Sequence, residues 1–212
     1  MVLRIMADKE SIGCERKLVY IPIVHTLADM GTLGASVQSA KLARLGRQGL
    51  AHSAAVVERM WEEIERVAGS LPVSPGIVRV YQDGLPVCGR EREMVSDLAA
   101  AGSRNHRLLL SLESRSAVLM GTESPELLIE EYRLASSALA APRIRVRPDR
   151  ARDALLEKRD RYIAARINGT LGRGESGILL LGMLHDVAGY LDRDIQVVYP
   201  LGPPRARRPG GV

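Results

Sequence analysis

The stretch that most restricts the fold runs from Gly177 to Leu184, GILLLGML, where no polar side chain appears before the chain meets His185 and Asp186. A strand apolar on both faces has to be covered on both faces, which is the position of a central strand in a parallel sheet. Open sheets of that kind bind ligands beyond the carboxyl ends of their strands. His185 and Asp186 fall at such an end. Ahead of the strand, residues 157 to 186 also contain a helix and a turn built on Gly172, Gly174 and Gly177.

The rest of the chain supplies alternating partners. Leu18 to Val24, LVYIPIV, is a β-rich run that ends at His25. Pro22 within it cannot donate a ladder hydrogen bond, which predicts an edge position or a local irregularity. Residues 28 to 70 read as helices broken at Gly46 and Gly49, with Val56, Met60, Ile64 and Val67 on one face. Gly76 to Gln82 is a second strand, closed by Asp83-Gly84. Arg90 to Ala101, with Met94, Leu98 and Ala101 inward, and Asn105 to Ser114 are helical, and Ala117 to Met120 is a short strand. Ser124, Pro125 and Glu126 mark a helix start, as cap, first-turn proline and dipole-matched acid, for a helix reaching Ala140. Pro148-Asp149 opens a long helix to Leu171, with Leu155, Tyr162, Ile163 and Ile167 inward. A short helix over Asp186 to Leu191 and a last strand, Ile195 to Tyr199, follow. The order predicts an α/β fold: a largely parallel sheet flanked by helices, with a helix-rich segment between the first two strands. One domain is expected over residues 1–201 and a disordered basic tail over 202–212, with 142–149 as the candidate linker.

Composition narrows the partners. The chain has no Phe and one Trp, so the core is aliphatic and base stacking on aromatic rings is not available for single-stranded nucleic acid. The net charge of +5 is concentrated in Arg143, Arg145, Arg147, Arg150 and Arg152 and in Arg205, Arg207 and Arg208. It reads as solvated surface rather than a nucleic-acid patch. An RNA-binding regulatory role is the weaker alternative, and it would show as steep salt dependence. No apolar window is long enough to cross a bilayer, and no membrane partner is expected. The first residues carry no apolar run of signal-peptide length, and Cys14 and Cys88 form neither a disulfide framework nor a zinc spacing. The expected location is cytoplasmic. The 28–70 helices serve the core in this reading, and a homodimer through them is compatible with the pattern.

Each strand ends in a polar group: His25, Asp83, Glu123, and His185 with Asp186. Parallel neighbours would bring these to one edge. Imidazoles and carboxylates together suit a divalent cation such as Mn, Zn, Fe or Co. Such an ion polarises a carbonyl or lowers the pKa of a water, and a nearby glutamate can act as general base. Against this stand ordinary readings. Each histidine can be a hydrogen-bonded strand-end residue, Asp83-Gly84 is also a turn signal, Glu123 can favour the following helix start, and Arg159 with Asp160 can be a helix-surface pair. An arginine at the sheet edge would instead suit a ligand carboxylate or phosphate. His52 and His106 sit within helical stretches and are placed at the surface or the edge of the core.

At these residues the sequence resembles the superfamily of the TraB/Tiki, ChaN-like and erythromycin-esterase-like proteins. Those proteins share an α/β core and two Gly-x-x-His motifs, with a glutamate between them and an Arg-Asp or Arg-Asn pair on the helix before the second motif. GMLH, Gly182 to His185, resembles the second motif, and KRDRYIAARI, Lys158 to Ile167, the preceding helix with Arg159 and Asp160. GTE, Gly121 to Glu123, resembles the glutamate segment. VYIPIVH stands where the first motif would be, with Pro22 in place of its glycine. The resemblance implies metal- or haem-linked chemistry, with peptide or ester hydrolysis in some branches. It gives as expectations a metal held by His25, His185 and Glu123, and a catalytic group of Glu123, Arg159 and Asp160. Arg159 would be a substrate or supporting anchor, and Asp160 would orient Arg159 or a ligand. The expected function is a metal-dependent hydrolase-like protein acting on a small-molecule or peptide ligand. The alternative is a non-catalytic small-ligand, metal or haem-binding protein using the same pocket.

Overall fold

The computed structural model describes residues 16–73, 78–140 and 150–204. Among the described residues five strands form one sheet: β1 (Arg16–Ile23), β2 (Val78–Gln82), β3 (Val118–Met120), β4 (Ser176–Gly182) and β5 (Ile195–Val198). Their order is β3-β2-β4-β1-β5, and every pairing is parallel. The helices are α1 (Gly34–Ser70), α2 (Glu91–Ala100), α3 (Arg104–Ser114), α4 (Pro125–Ala140) and α5 (Arg150–Thr170), with short 3-10 turns at Ala28–Leu33 and Ala188–Tyr190. The α/β expectation and the helix-rich segment between the first two strands both hold. Among the described residues no helix is long and apolar enough to cross a membrane. The candidate linker at 142–149, most of the arginines before α5, Cys14, and residues 205–212 of the tail lie outside the described residues.

The apolar run 177–184 becomes β4, the middle strand, and six of its seven residues are buried. Successive side chains alternate between faces. Ile178 and Leu180 join Val19, Ile21, Ile23 and Val80 under α1 and α3, through Trp61, Ile64, Leu109 and Leu112. Leu179 and Leu181 join Leu18, Tyr20 and Tyr81 under α5, through Ile163, Ala164 and Ile167. The handedness of crossovers explains this partition. From β1 to β2 to β3 the chain steps across the sheet in one direction, and from β3 to β4 to β5 it steps in the other. Right-handed crossovers therefore put α1, α2 and α3 on one face and α5 on the other. The direction reverses around β4, so the loops after β1 and β4 part to opposite faces and leave a crevice between them.

Several local expectations are corrected. β1 is interior, not an edge strand: it pairs with β4 from Lys17 to Ile23 and with β5 from Arg16 to Val19. Pro22 is tolerated because β5 ends opposite Val19, so the proline lies past that neighbour and faces only β4. β4 stops at Gly182, two residues before the end of the apolar run, and a turn closed by His185 N–H to the Gly182 carbonyl (3.1 Å) carries the histidine. The 28–70 segment kinks once, at Gly46, whose φ of 66° is open to glycine at little cost; Gly49 continues the helix. On α2 the buried residues are Val95 and Ala99 rather than Leu98 and Ala101.

Candidate functional site

All five strands point the same way, so their carboxyl ends share one edge, and the polar residues after β1, β2, β3 and β4 meet there. Asp83 is the hub. Its Oδ2 accepts from the Gly182 N–H (2.8 Å), lies 2.9 Å from His25 Nε2 and sits 3.6 Å from His185 Nε2. Its Oδ1 accepts from Arg159 Nη2 (2.9 Å). Gly182 makes this convergence sterically feasible. A Cβ there would stand 2.7 Å from Asp83 Oδ2, 3.3 Å from His25 Nε2 and 3.6 Å from His185 Cδ2.

Glu123 is held from the loop that follows β2. The N–H groups of Thr122 and Glu123 donate to the Leu85 carbonyl, and Val87 N–H donates back to the Glu123 carbonyl. The Glu123 carboxylate takes the Gly84 N–H (2.8 Å) and two donors of Arg159, Nε (2.6 Å) and Nη2 (2.7 Å). Arg159 comes from α5, the helix laid across the β4 face, and its Nη1 also donates to Glu131 on α4. Every nitrogen of its guanidinium thus meets a carboxylate, which raises its pKa further although burial acts in the opposite direction. The next residue of α5, Asp160, lies 2.5 Å from His185 Nδ1 and accepts the Asp186 N–H at 3.1 Å. With Nδ1 committed to Asp160, His185 turns Nε2 toward Asp83.

Asp83, Glu123, Arg159, Asp160 and His185 are all buried. The His25 side chain is 38% exposed and forms the solvent side of the group. Burial alone would lower the His25 pKa, but Asp83 beside it, with Asp29 and Glu131 farther off, raises it to about 9. His185 is raised as well, against its burial, by Asp83 and the hydrogen bond to Asp160. Asp83 is held well below the usual carboxylate range: its burial is outweighed by His185, His25 and Arg159. Glu123 is pushed up, by burial first and also by Asp83, against the pull of Arg159. A cleft of about 410 Å³ lined by Glu157, Asp160, Asp186, Gly189 and Tyr190 adjoins Asp160.

The structure therefore gathers His25, Glu123, Arg159, Asp160 and His185, as the sequence suggests, and brings Asp83, which the sequence offers both as a strand-end group and as a turn former, to the same edge. The Asp83-Gly84 turn is real, but its aspartate side chain points into the edge. Asp186 contributes its backbone N–H while its side chain is exposed. Arg159 and Asp160 are not a surface pair. Among the described residues, Asp83, Glu123 and His185 place one ligand atom each within 4.8 Å of one another, a buried trio able to hold a metal ion. His25 stands beside the trio through Asp83. Glu131 had no signal in the sequence, since it lies on an otherwise ordinary exposed helix face.

His52 is exposed as expected, whereas His106 is buried in α3 within a separate group. Ser103 Oγ donates to Asp29, lies 2.7 Å from His106 Nδ1 and accepts the His106 N–H, capping α3. These are the residue types of a hydrolytic triad, but Ser103 is fully buried and all its hydrogen-bonding capacity is used, so the group is structural. The Asp29 side chain, 3% exposed, would be raised by burial, but His106, Ser103 and Thr26 lower it to about 2. A depressed carboxyl stabilises the fold fully above its unfolded pKa and loses that contribution as pH falls through the folded value. Asp29→Asn is expected to cost about 2 kcal/mol at pH 7. Urea unfolding should show this deficit shrinking between about pH 4 and pH 2; a deficit independent of pH would refute the assignment.

Compared with known protein families, with curated proteins and with solved structures, the chain shows no match.

Proposed function

We propose that this protein is a metal-dependent hydrolase-like protein acting on an ester or peptide carbonyl at the carboxyl edge of its sheet. The observation that carries the reading is the buried Asp83, Glu123 and His185 trio, with His185 turned toward it by Asp160. The donor set fits a divalent cation in two respects. One imidazole with two carboxylates suits Mn, Zn, Fe or Co, and a carboxylate on the far ring nitrogen is the usual support of a metal-binding histidine. The charges also fit. Asp83 and Glu123 share the charge of Arg159 and Asp160 is bonded to His185, and the two negative charges left over can be matched by protons on His25 and His185 or by a single divalent cation. Haem is the less favoured cofactor, because the buried group is compact and filled with ion pairs.

In this reading Asp83, Glu123 and His185 hold the ion, which when bound would polarise the carbonyl or acidify a water. Arg159 does not bind substrate. Its donors are engaged by Asp83, Glu123 and Glu131, and it fixes both carboxylates in place. His25, at the solvent side, is a fourth ligand or the group that exchanges a proton with the leaving atom. Glu123 serves as ligand or general base. The resemblance to the TraB/Tiki, ChaN-like and erythromycin-esterase-like superfamily is in keeping with this assignment.

One observation favours a second reading, a non-catalytic protein that binds a small ligand or a metal at the same edge. Arg159 spends its donors on Asp83, Glu123 and Glu131, so the group is held together by ion pairs and offers no uncommitted cation to a reacting substrate. Elemental mass spectrometry of the purified protein is the first measurement. Near-stoichiometric metal, absent from a folded His25→Ala/His185→Ala variant, is expected, and Asp160→Asn should weaken binding by about 10–100-fold. Metal with no cleavage of ester or peptide panels would support the second reading. No metal after incubation with manganese, zinc, iron or cobalt would sink the first.

A further inference from the structure

His25 is the site residue with the least obvious support. It follows a strand that ends two residues earlier, its side chain is partly exposed, and within the site it contacts Asp83. Yet the backbone on each side of it is fastened by a buried side chain from another element. Before it, the Val24 carbonyl accepts the indole N–H of Trp61 at 3.1 Å, and Trp61 is fully buried on α1. After it, the Thr26 N–H (2.6 Å) and hydroxyl (2.8 Å) both donate to Asp29 Oδ2. Asp29 is tied in turn to α3, because its Oδ1 accepts from Ser103 Oγ, which His106 holds through its ring and its backbone N–H.

We infer that Trp61 and the Asp29–Ser103–His106 group are positioning residues that hold the loop of His25 so that its imidazole stays on Asp83. The inference rests on the assignment of His25 to the site. The physical argument is one of direction. A backbone carbonyl and a backbone N–H two residues apart, each fixed from a different helix, leave the intervening residue little freedom to swing away from the edge. Asp29 can do this only while buried and fully bonded, and its two oxygens have donors from both the loop and α3. No such fastening is needed for His185, which its own turn and Asp160 secure.

The test reads the reactivity of individual histidines in metal-stripped full-length protein. Acylation by diethyl pyrocarbonate is followed site by site by mass spectrometry, with exposed His52 as the unprotected reference and buried His185 as the report on the rest of the site. In the parent His25 should react slowly relative to His52, because Asp83 engages its Nε2. Ser103→Ala and Asp29→Asn should each raise the His25 rate about tenfold by easing local opening, with His185 unchanged. Ser103→Thr, which keeps the hydroxyl, should restore the parent rate. A general loss of stability would raise His185 together with His25, and that outcome would overturn a positioning role. So would an unchanged His25 rate in variants that still unfold cooperatively. Should both variants fail to fold, Trp61→Phe, which removes the N–H and keeps an aromatic ring, supplies the same comparison. The readout needs no metal and no turnover, so it stands apart from the outcome of the metal analysis.

Discussion

Replacing Arg159 with methionine is expected to cost about 3–5 kcal/mol of stability at neutral pH, the range for breaking one side of a buried ion pair. The side chain is buried and bonded to Asp83, Glu123 and Glu131, so methionine would fill part of the volume and leave two buried carboxylates without their cation. In thermal unfolding a loss of this size lowers Tm by about 10 °C in a chain of this length. The pH dependence separates this cause from a packing defect. Glu123, already raised by burial, loses the pull of Arg159 and rises further above its unfolded value of about 4, and a carboxyl raised in the fold destabilises increasingly as pH climbs above its unfolded pKa. The gap between variant and parent should therefore be smallest near pH 4 and widest at neutral pH. A loss under about 1 kcal/mol, equal at both pH values, would show that the guanidinium does not carry the charges of these carboxylates.

Gly182→Ala should have the largest effect on the site itself. Gly182 donates its N–H to the Asp83 oxygen that a new methyl would approach to 2.7 Å, so Asp83 must move or lose that bond. His25 Nε2, 3.3 Å from the same methyl, is displaced with it. Metal affinity should fall on the order of 100-fold, as when a supporting partner of a ligand is lost. The cost to folding should stay at about 1–3 kcal/mol, the range for one added methyl in a packed interior. Isothermal titration with manganese or zinc beside urea unfolding reads both. Unchanged affinity in the alanine variant would mean that Asp83 and His25 do not meet across the glycine.

Much of this site was legible because a parallel sheet turns a list of strand ends into a neighbourhood. His25, Glu123 and His185 each follow an apolar strand, and the run GILLLGML fixed the kind of sheet. Two features were less legible, each because one residue serves two structural roles. Asp83 precedes a glycine, the mark of a turn, and the turn does form, but the same turn aims the carboxylate at the edge. Pro22 argues for an edge strand by its missing donor, yet the length of β5, which a local pattern does not disclose, leaves it unopposed on one side. Arg159 and Asp160 are assigned to the site by the resemblance rather than by periodicity, because α5 buries a polar stripe where helix periodicity expects an apolar face. The link from Asp29 to Ser103 had no signal. The two residues are 74 positions apart, and only the packing of α3 against the loop after β1 brings them together.

The strand order also governs when this site can exist during synthesis. β4 takes its place between β1 and β2, although both are made long before it. β1 and β2 are not paired to each other, and β1 finds its two partners only in the last stretch of the described chain. A ribosome-bound chain that ends before residue 176 has α1 to α5 but no middle to its sheet. Contacts so distant in sequence carry a large loop-closure cost and make folding slow. The half-made chain meanwhile displays unpaired strand edges, which are prone to associate with other chains. His25 and Asp83 are both made well before the strand that lies between theirs, so the polar edge is completed in one late step rather than assembled residue by residue.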